Sequence, residues 1–252
     1  MPIYQPEHVE YSIINGRVSI VADDGTQLPA YWSHPDMSGK FPAIAILHDW
    51  WGITTVERRM AHLFAQMGYY VIVPDLFDGA VARTPEEAYK LVEDKGARGY
   101  SYVDTALSVL ENHGRTNGKT AAVGLGMGGS LAFKAALQRS DLEGVVAFYG
   151  FPQHYLGKFQ TAKTPILAVY GSNEPFVASK VIAELRHELA QSPLGHEVVI
   201  LDGAGRDFLN ETLNPNAAQQ AGSIAAVAWQ KMLTFLEKNQ ITPKYRDDAP
   251  IV

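Results

Sequence analysis

The chain has 252 residues, 46% of them hydrophobic, enough for one large core and a good length for a single α/β domain spanning 1–252. Its 27 acidic and 21 basic residues leave a net charge of -6 without any basic run, which speaks against a nucleic-acid partner; the absence of cysteine excludes disulfides, a thiolate nucleophile and cysteine metal sites. Residues 1–8 carry neither a basic nor an apolar leader segment, and no apolar run is long enough to span a bilayer, so a cytoplasmic protein with no membrane partner is expected.

Along the chain, 18–21 and 28–32 read as strands flanking the turn sequence Asp23-Asp24-Gly25-Thr26, the start of an antiparallel meander. The rhythm then changes. Short apolar runs at 43–47, 70–74, 121–124, 144–149, 165–170 and 197–201 predict buried strands, and the 3.6-residue periodicity predicts helices near 56–67, 85–93, 102–112, 130–137, 178–190 and 217–237. Continuous apolar strands alternating with helices imply a mostly parallel sheet covered on both faces, an α/β fold. No repeat or linker interrupts the pattern. The proline-punctuated ends, about 1–11 and 242–252, read as extended arms.

The strongest local signal is Gly124-Leu125-Gly126-Met127-Gly128-Gly129-Ser130 after an apolar strand and before a helix. Small residues around a strained strand-to-helix turn are what a nucleophile elbow needs, because the turn must lift one side chain above the sheet. In that reading the raised position is Gly126. Gly124, Gly126 and Gly129 also satisfy G-x-G-x-x-G, the dinucleotide fingerprint, but half of the chain precedes them and the following acidic residues, Asp141 and Glu143, fall in a loop. The elbow reading is preferred.

Several segments together, namely 46–53 (Ile-Leu-His-Asp-Trp-Trp-Gly-Ile), 68–76, 87–91, the elbow and Phe148-Tyr149-Gly150, make the chain resemble the dienelactone hydrolase (carboxymethylenebutenolidase-like) family over about 25–237. The resemblance implies an α/β-hydrolase fold without a cofactor and hydrolysis of carboxylic esters or lactones. It also implies triad positions at Gly126 for the nucleophile, Glu174 for the acid in Gly171-Ser172-Asn173-Glu174, and Arg206 for the histidine in Gly203-Ala204-Gly205-Arg206-Asp207-Phe208. Glycine offers no nucleophile, and a guanidinium carries only donors and cannot act as a base, so all three positions read as substituted. The backbone N–H groups of Trp50 and Met127 take the oxyanion-hole positions by the same resemblance. Asp49 falls on an acidic residue that acts near the family's thiol, and Tyr89 on a tyrosine of the substrate region, whose arginine four residues earlier is Pro85 here.

From these residues the expectation is a pocket that binds a small anion, a carboxylate, without triad hydrolysis: Arg206 and the N–H pair hold the charge, and Trp50, Trp51 or Tyr149 stack against the body. A Glu174–Arg206 ion pair is the expected filling of the triad gap. Asp49 is a competitor for Arg206. His48 and His154 follow strands at the active-site edge and are read as structural or ligand-contacting, while an active hydrolase using one of them as an unusual base is the alternative. Ser130, four residues past the apex, should point away from the mouth of the sheet. No histidine pair has metal-ligand spacing with a third donor.

Overall fold

A computed structural model describes residues 11–22, 25–96, 99–213 and 222–243. The chain begins with an antiparallel hairpin, β1 (Ile13–Val21) and β2 (Gln27–Pro35), registered from Ile13 opposite Pro35 to Val21 opposite Gln27. Then follow β3 (Phe41–Leu47), α1 (Thr55–Gln66), β4 (Tyr70–Pro74), α2 (Pro85–Lys95), α3 (Gly99–Asn112), β5 (Thr116–Leu125), α4 (Met127–Gln138), β6 (Gly144–Phe148), β7 (Ile166–Gly171), α5 (Ser179–Leu189), β8 (Glu197–Leu201) and α6 (Ile224–Lys238). The eight strands form one sheet in the order β1-β2-β4-β3-β5-β6-β7-β8, antiparallel through the β2–β4 pair and parallel from there on. That is the α/β-hydrolase arrangement, with an antiparallel start and a mostly parallel body, as the sequence pattern implies.

Burial follows the composition of the strands. Every residue of β3, β4, β6 and β7 is buried, which is why these segments read as continuous apolar runs without a period of two. Helices cover the faces. In α1 the buried stripe runs through Met60, Ala61, Phe64 and Ala65, each fully buried large side chain contributing on the order of 1.5–3 kcal/mol. Its start is fixed by a capping box: the Thr54 side chain accepts from the helix backbone while Glu57 accepts from the Thr54 backbone N–H at 2.8 Å. In α2 the Thr84 hydroxyl caps the helix and Pro85 occupies the first position, where its missing N–H costs nothing.

The expected helix boundaries differ from the observed ones mainly at the glycine turn. The helix expected near 130–137 starts at Met127 instead, because Gly128 and Gly129 lie inside its first turn, packed against the backbone of neighbouring strands. The helix expected near 217–237 is described from Ile224, capped by the Ser223 hydroxyl, and 214–221 lie outside the described residues. So do Asp23 and Asp24 of the hairpin turn and most of the two expected arms. Among the described residues, no helix is long and apolar enough to cross a membrane.

Candidate active-site pocket

The parallel strands end along one edge, where the loops after β3, β5, β6, β7 and β8 converge. Gly126 stands at the apex of the β5–α4 turn with φ 51° and ψ -110°, a backbone conformation that side chains rarely adopt. Its N–H donates to the Phe148 carbonyl at 3.0 Å, tying the apex to β6. The approach of α4 to the sheet is close: a Cβ at Gly128 would lie 2.0 Å from the Leu47 carbonyl oxygen, so a larger residue there would push the helix off β3.

The first turn of α4 has no side chain of its own to cap it. The cap comes from the loop after β3. One carboxylate oxygen of Asp49 accepts from the Met127 N–H at 2.8 Å and from the Trp50 N–H at 2.7 Å, the two donors expected to converge as an oxyanion hole. A Cβ built on Gly126 would lie 2.2 Å from the Asp49 carboxyl carbon and from each of its oxygens. Asp49 therefore fills the space that a side chain at position 126 would need. It is 6% exposed, and burial pushes its carboxyl up to about 6 against the opposing pull of the two N–H groups and the more distant Arg206 charge.

From the loops after β7 and β8, Arg206 donates to Glu174 at 2.9 Å, forming the expected ion pair, with the two side chains 10% and 2% exposed. The same Glu174 oxygen accepts from the Phe176 N–H at 2.9 Å, while its second oxygen is buried without a hydrogen-bond partner. Three rings surround the guanidinium, Tyr149 at 5.0 Å, Phe151 at 4.7 Å and Phe176 at 5.3 Å. Asp49 is not a partner of Arg206: it is bound to backbone, and the expected competition resolves in favour of Glu174. Beside them, Asp207 has φ 57° and a carboxyl raised by burial.

Other candidates are placed elsewhere or differently. Trp50 and Trp51 meet edge to face at 5.1 Å beside the hole, and Tyr149 is buried, edge-on to Phe208 at 5.4 Å. His48 is fully buried; its Nε2 accepts from the Leu76 N–H at 3.0 Å and its Nδ1 bonds the Asp49 carbonyl at 2.7 Å, which makes Nδ1 the protonated nitrogen. With both nitrogens committed to backbone and burial holding its pKa below the ordinary value, His48 tethers the β3 loop to the end of β4 and has no face left for ligand or proton transfer. His154 is exposed on a short 3-10 turn, Gln153–Tyr155. Tyr89 is 67% exposed on α2, outside the buried pocket. Ser130 points back as expected: its hydroxyl donates to the Gly126 carbonyl at 3.3 Å and accepts from the Phe151 N–H at 2.9 Å, joining the elbow to the loop after β6. The sequence reading missed Phe151 and Phe176, although both lie just past strand ends on the active-site edge.

A glycine-apex elbow on an eight-stranded mixed sheet, with two convergent N–H donors beside it, defines an α/β-hydrolase-type site. The pattern of the dienelactone hydrolase family matches residues 28–240, and the chain belongs to that family. It is 26% identical over 224 residues to Protein usf of Aquifex pyrophilus, covering 84% of this chain and 96% of the relative. It is 27% identical over 231 residues to a carboxymethylenebutenolidase of Pseudomonas putida, covering 87% and 94%. The crystal structure of a putative dienelactone hydrolase from Klebsiella pneumoniae superposes with a TM-score of 0.75 at 21% identity, over 90% of this chain and 99% of that one.

Proposed function

We propose that this chain is a dienelactone-hydrolase-like protein with a degenerate triad, Gly126, Glu174 and Arg206, that binds a small carboxylate without triad hydrolysis. The observation that carries the reading is the Asp49 carboxylate above Gly126: no acyl-accepting side chain is present there, and the space for one is taken. The triad-acid and base positions hold an ion pair closed on itself, so neither of those two groups is free to move a proton.

Asp49 also argues for the ligand class. The N–H pair already holds a carboxylate at 2.7 and 2.8 Å, which makes it a matched seat for one. An incoming carboxylate takes that seat by exchange, with Asp49 turning away, and its body lies against Trp50 and Trp51. The exchange sets a limit. Asp49, Glu174 and Asp207 surround one arginine, so an anion enters against net negative charge and binds weakly while Asp49 stays ionised. The dinucleotide alternative meets the same obstacle more severely, because a pyrophosphate would sit where Asp49 now caps α4.

The test has two parts. Purified protein gives no saturable hydrolysis of aryl esters or enol lactones above background, and acetate shifts the Met127 and Trp50 amide resonances, with roughly tenfold higher affinity in Asp49→Ala. Saturable turnover, or acetate that leaves those amides unmoved in both proteins, overturns the reading.

A further inference from the structure

A cavity of about 180 Å³ lies between the β1–β2 hairpin, the start of α1 and the loop that follows β4. Its apolar wall is Pro29, Ile53 and Val81, and its polar groups include Arg17, Tyr31 and Arg58. The volume is near that of engineered cavities that take up benzene, so an occupant of roughly ten heavy atoms fits.

Two arginines line this cavity, Arg17 exposed and Arg58 half-buried. Among the described residues, neither Arg17 nor Arg58 has a carboxylate within ion-pair distance. Arg58 spends one N–H on the Ile53 carbonyl at a long 3.4 Å and its guanidinium lies 5.9 Å from the centre of the Tyr31 ring, so among the described residues most of its terminal donors have no acceptor. A guanidinium carries five donors in a fork that matches a carboxylate. The remaining groups do not supply the acceptor. The Tyr31 hydroxyl donates to Asn15 at 2.9 Å and is in contact with the His62 ring. Two carboxylates also line the cavity. Those of Asp75 accept the Phe77 and Gly79 N–H groups at 3.0 and 2.8 Å, and Asp78 pairs with Lys95 at 2.8 Å. Asp75 is thus held by the loop that it shapes and Asp78 by the end of α2.

We infer that this cavity is a binding site for a small organic acid, its carboxylate between Arg58 and Arg17 and its apolar body against Ile53, Pro29 and Val81. An aromatic or short aliphatic acid suits the walls better than a phosphate, because Asp75 and Asp78 would repel a dianion and leave the apolar surface uncovered. The site is separate from the hole at Gly126. Ile53 links the two, since it ends the loop that carries Trp50 and Trp51 and gives its carbonyl to Arg58.

The experiment is a titration of the full-length protein with benzoate, followed by amide shifts and calorimetry. Benzoate moves the Ile53 and Val81 amides saturably, Arg58→Gln and Arg17→Gln each weaken that response by roughly tenfold, and in Asp49→Ala the Val81 response is unchanged while any gain in affinity is confined to the Met127 and Trp50 amides. This last result separates the inference from the exchange proposed at Gly126, which depends on Asp49 and not on Arg58. The inference is overturned by benzoate that leaves both amides in place, by affinity indifferent to both arginine substitutions, or by inorganic phosphate binding there more tightly than benzoate. Arg58→Lys, which keeps the charge and loses the fork, guards against a folding defect in the glutamine variant: it retains part of the affinity.

Discussion

Two buried carboxylates lie in the loops at the active-site edge, and they are satisfied in opposite ways. Glu174, at the end of β7, is held by a full positive charge on Arg206 inside a box of three rings. Asp49, at the end of β3, has no ion pair and rests on two backbone dipoles at the start of α4, which do not offset its desolvation, so its carboxyl is raised to about 6. The β7–β8 side of the site is closed electrostatically, whereas the carboxylate on the β3–β5 side is held closer to its protonated form.

The largest effect should come from breaking the closed side. Arg206→Ala strands the Glu174 carboxylate, 2% exposed, with no counter-charge and is expected to cost about 3–5 kcal/mol in urea unfolding; adding Glu174→Gln should restore part of it. A loss under 1 kcal/mol would mean that water replaces the guanidinium freely. Next comes the apex. Gly126→Ala combines a positive φ with displacement of Asp49 and should destabilise by about 2–4 kcal/mol, falling to about 1–2 kcal/mol in an Asp49→Ala background. Equal losses in the two backgrounds would show that Asp49 yields at no cost.

The smallest effect is a gain with a defined pH sign. Because the folded carboxyl of Asp49 is raised, the fold favours its protonated form; the stability it contributes is full below about pH 4 and is lost as pH rises through about 6. Asp49→Asn keeps an oxygen that can accept both N–H groups and removes the buried charge. The variant should match the parent near pH 4 and exceed it by about 2–3 kcal/mol at pH 7, read from denaturant midpoints across the range. A pH-independent difference would remove the contrast between the two carboxylates.

Much of this molecule was legible in the residues. The continuous apolar runs marked the buried strands because a parallel sheet covered on both faces leaves no polar alternation, and the glycine cluster marked the elbow because only glycine tolerates the φ and the close approach found there. Pairing of Glu174 with Arg206 was legible too, since two opposite charges in matched positions of one pocket lower each other's burial cost. His48 was harder. A histidine at a strand end looks like a site residue until the Leu76 N–H and the Asp49 carbonyl are seen to use both of its nitrogens. Arg58 and Arg17 gave no signal, because cavities arise between elements and have no period.

The residue types alone decided what is missing at the apex: a hydrogen atom at 126, a guanidinium at 206 and no cysteine anywhere in the chain. Only the tertiary structure decided what fills the vacated space. The Asp49 carboxylate meets the Met127 N–H across 78 positions of sequence because β3 and β5 are neighbours in the sheet. Strand adjacency and loop direction, not local composition, brought that charge to the two N–H groups that hold it.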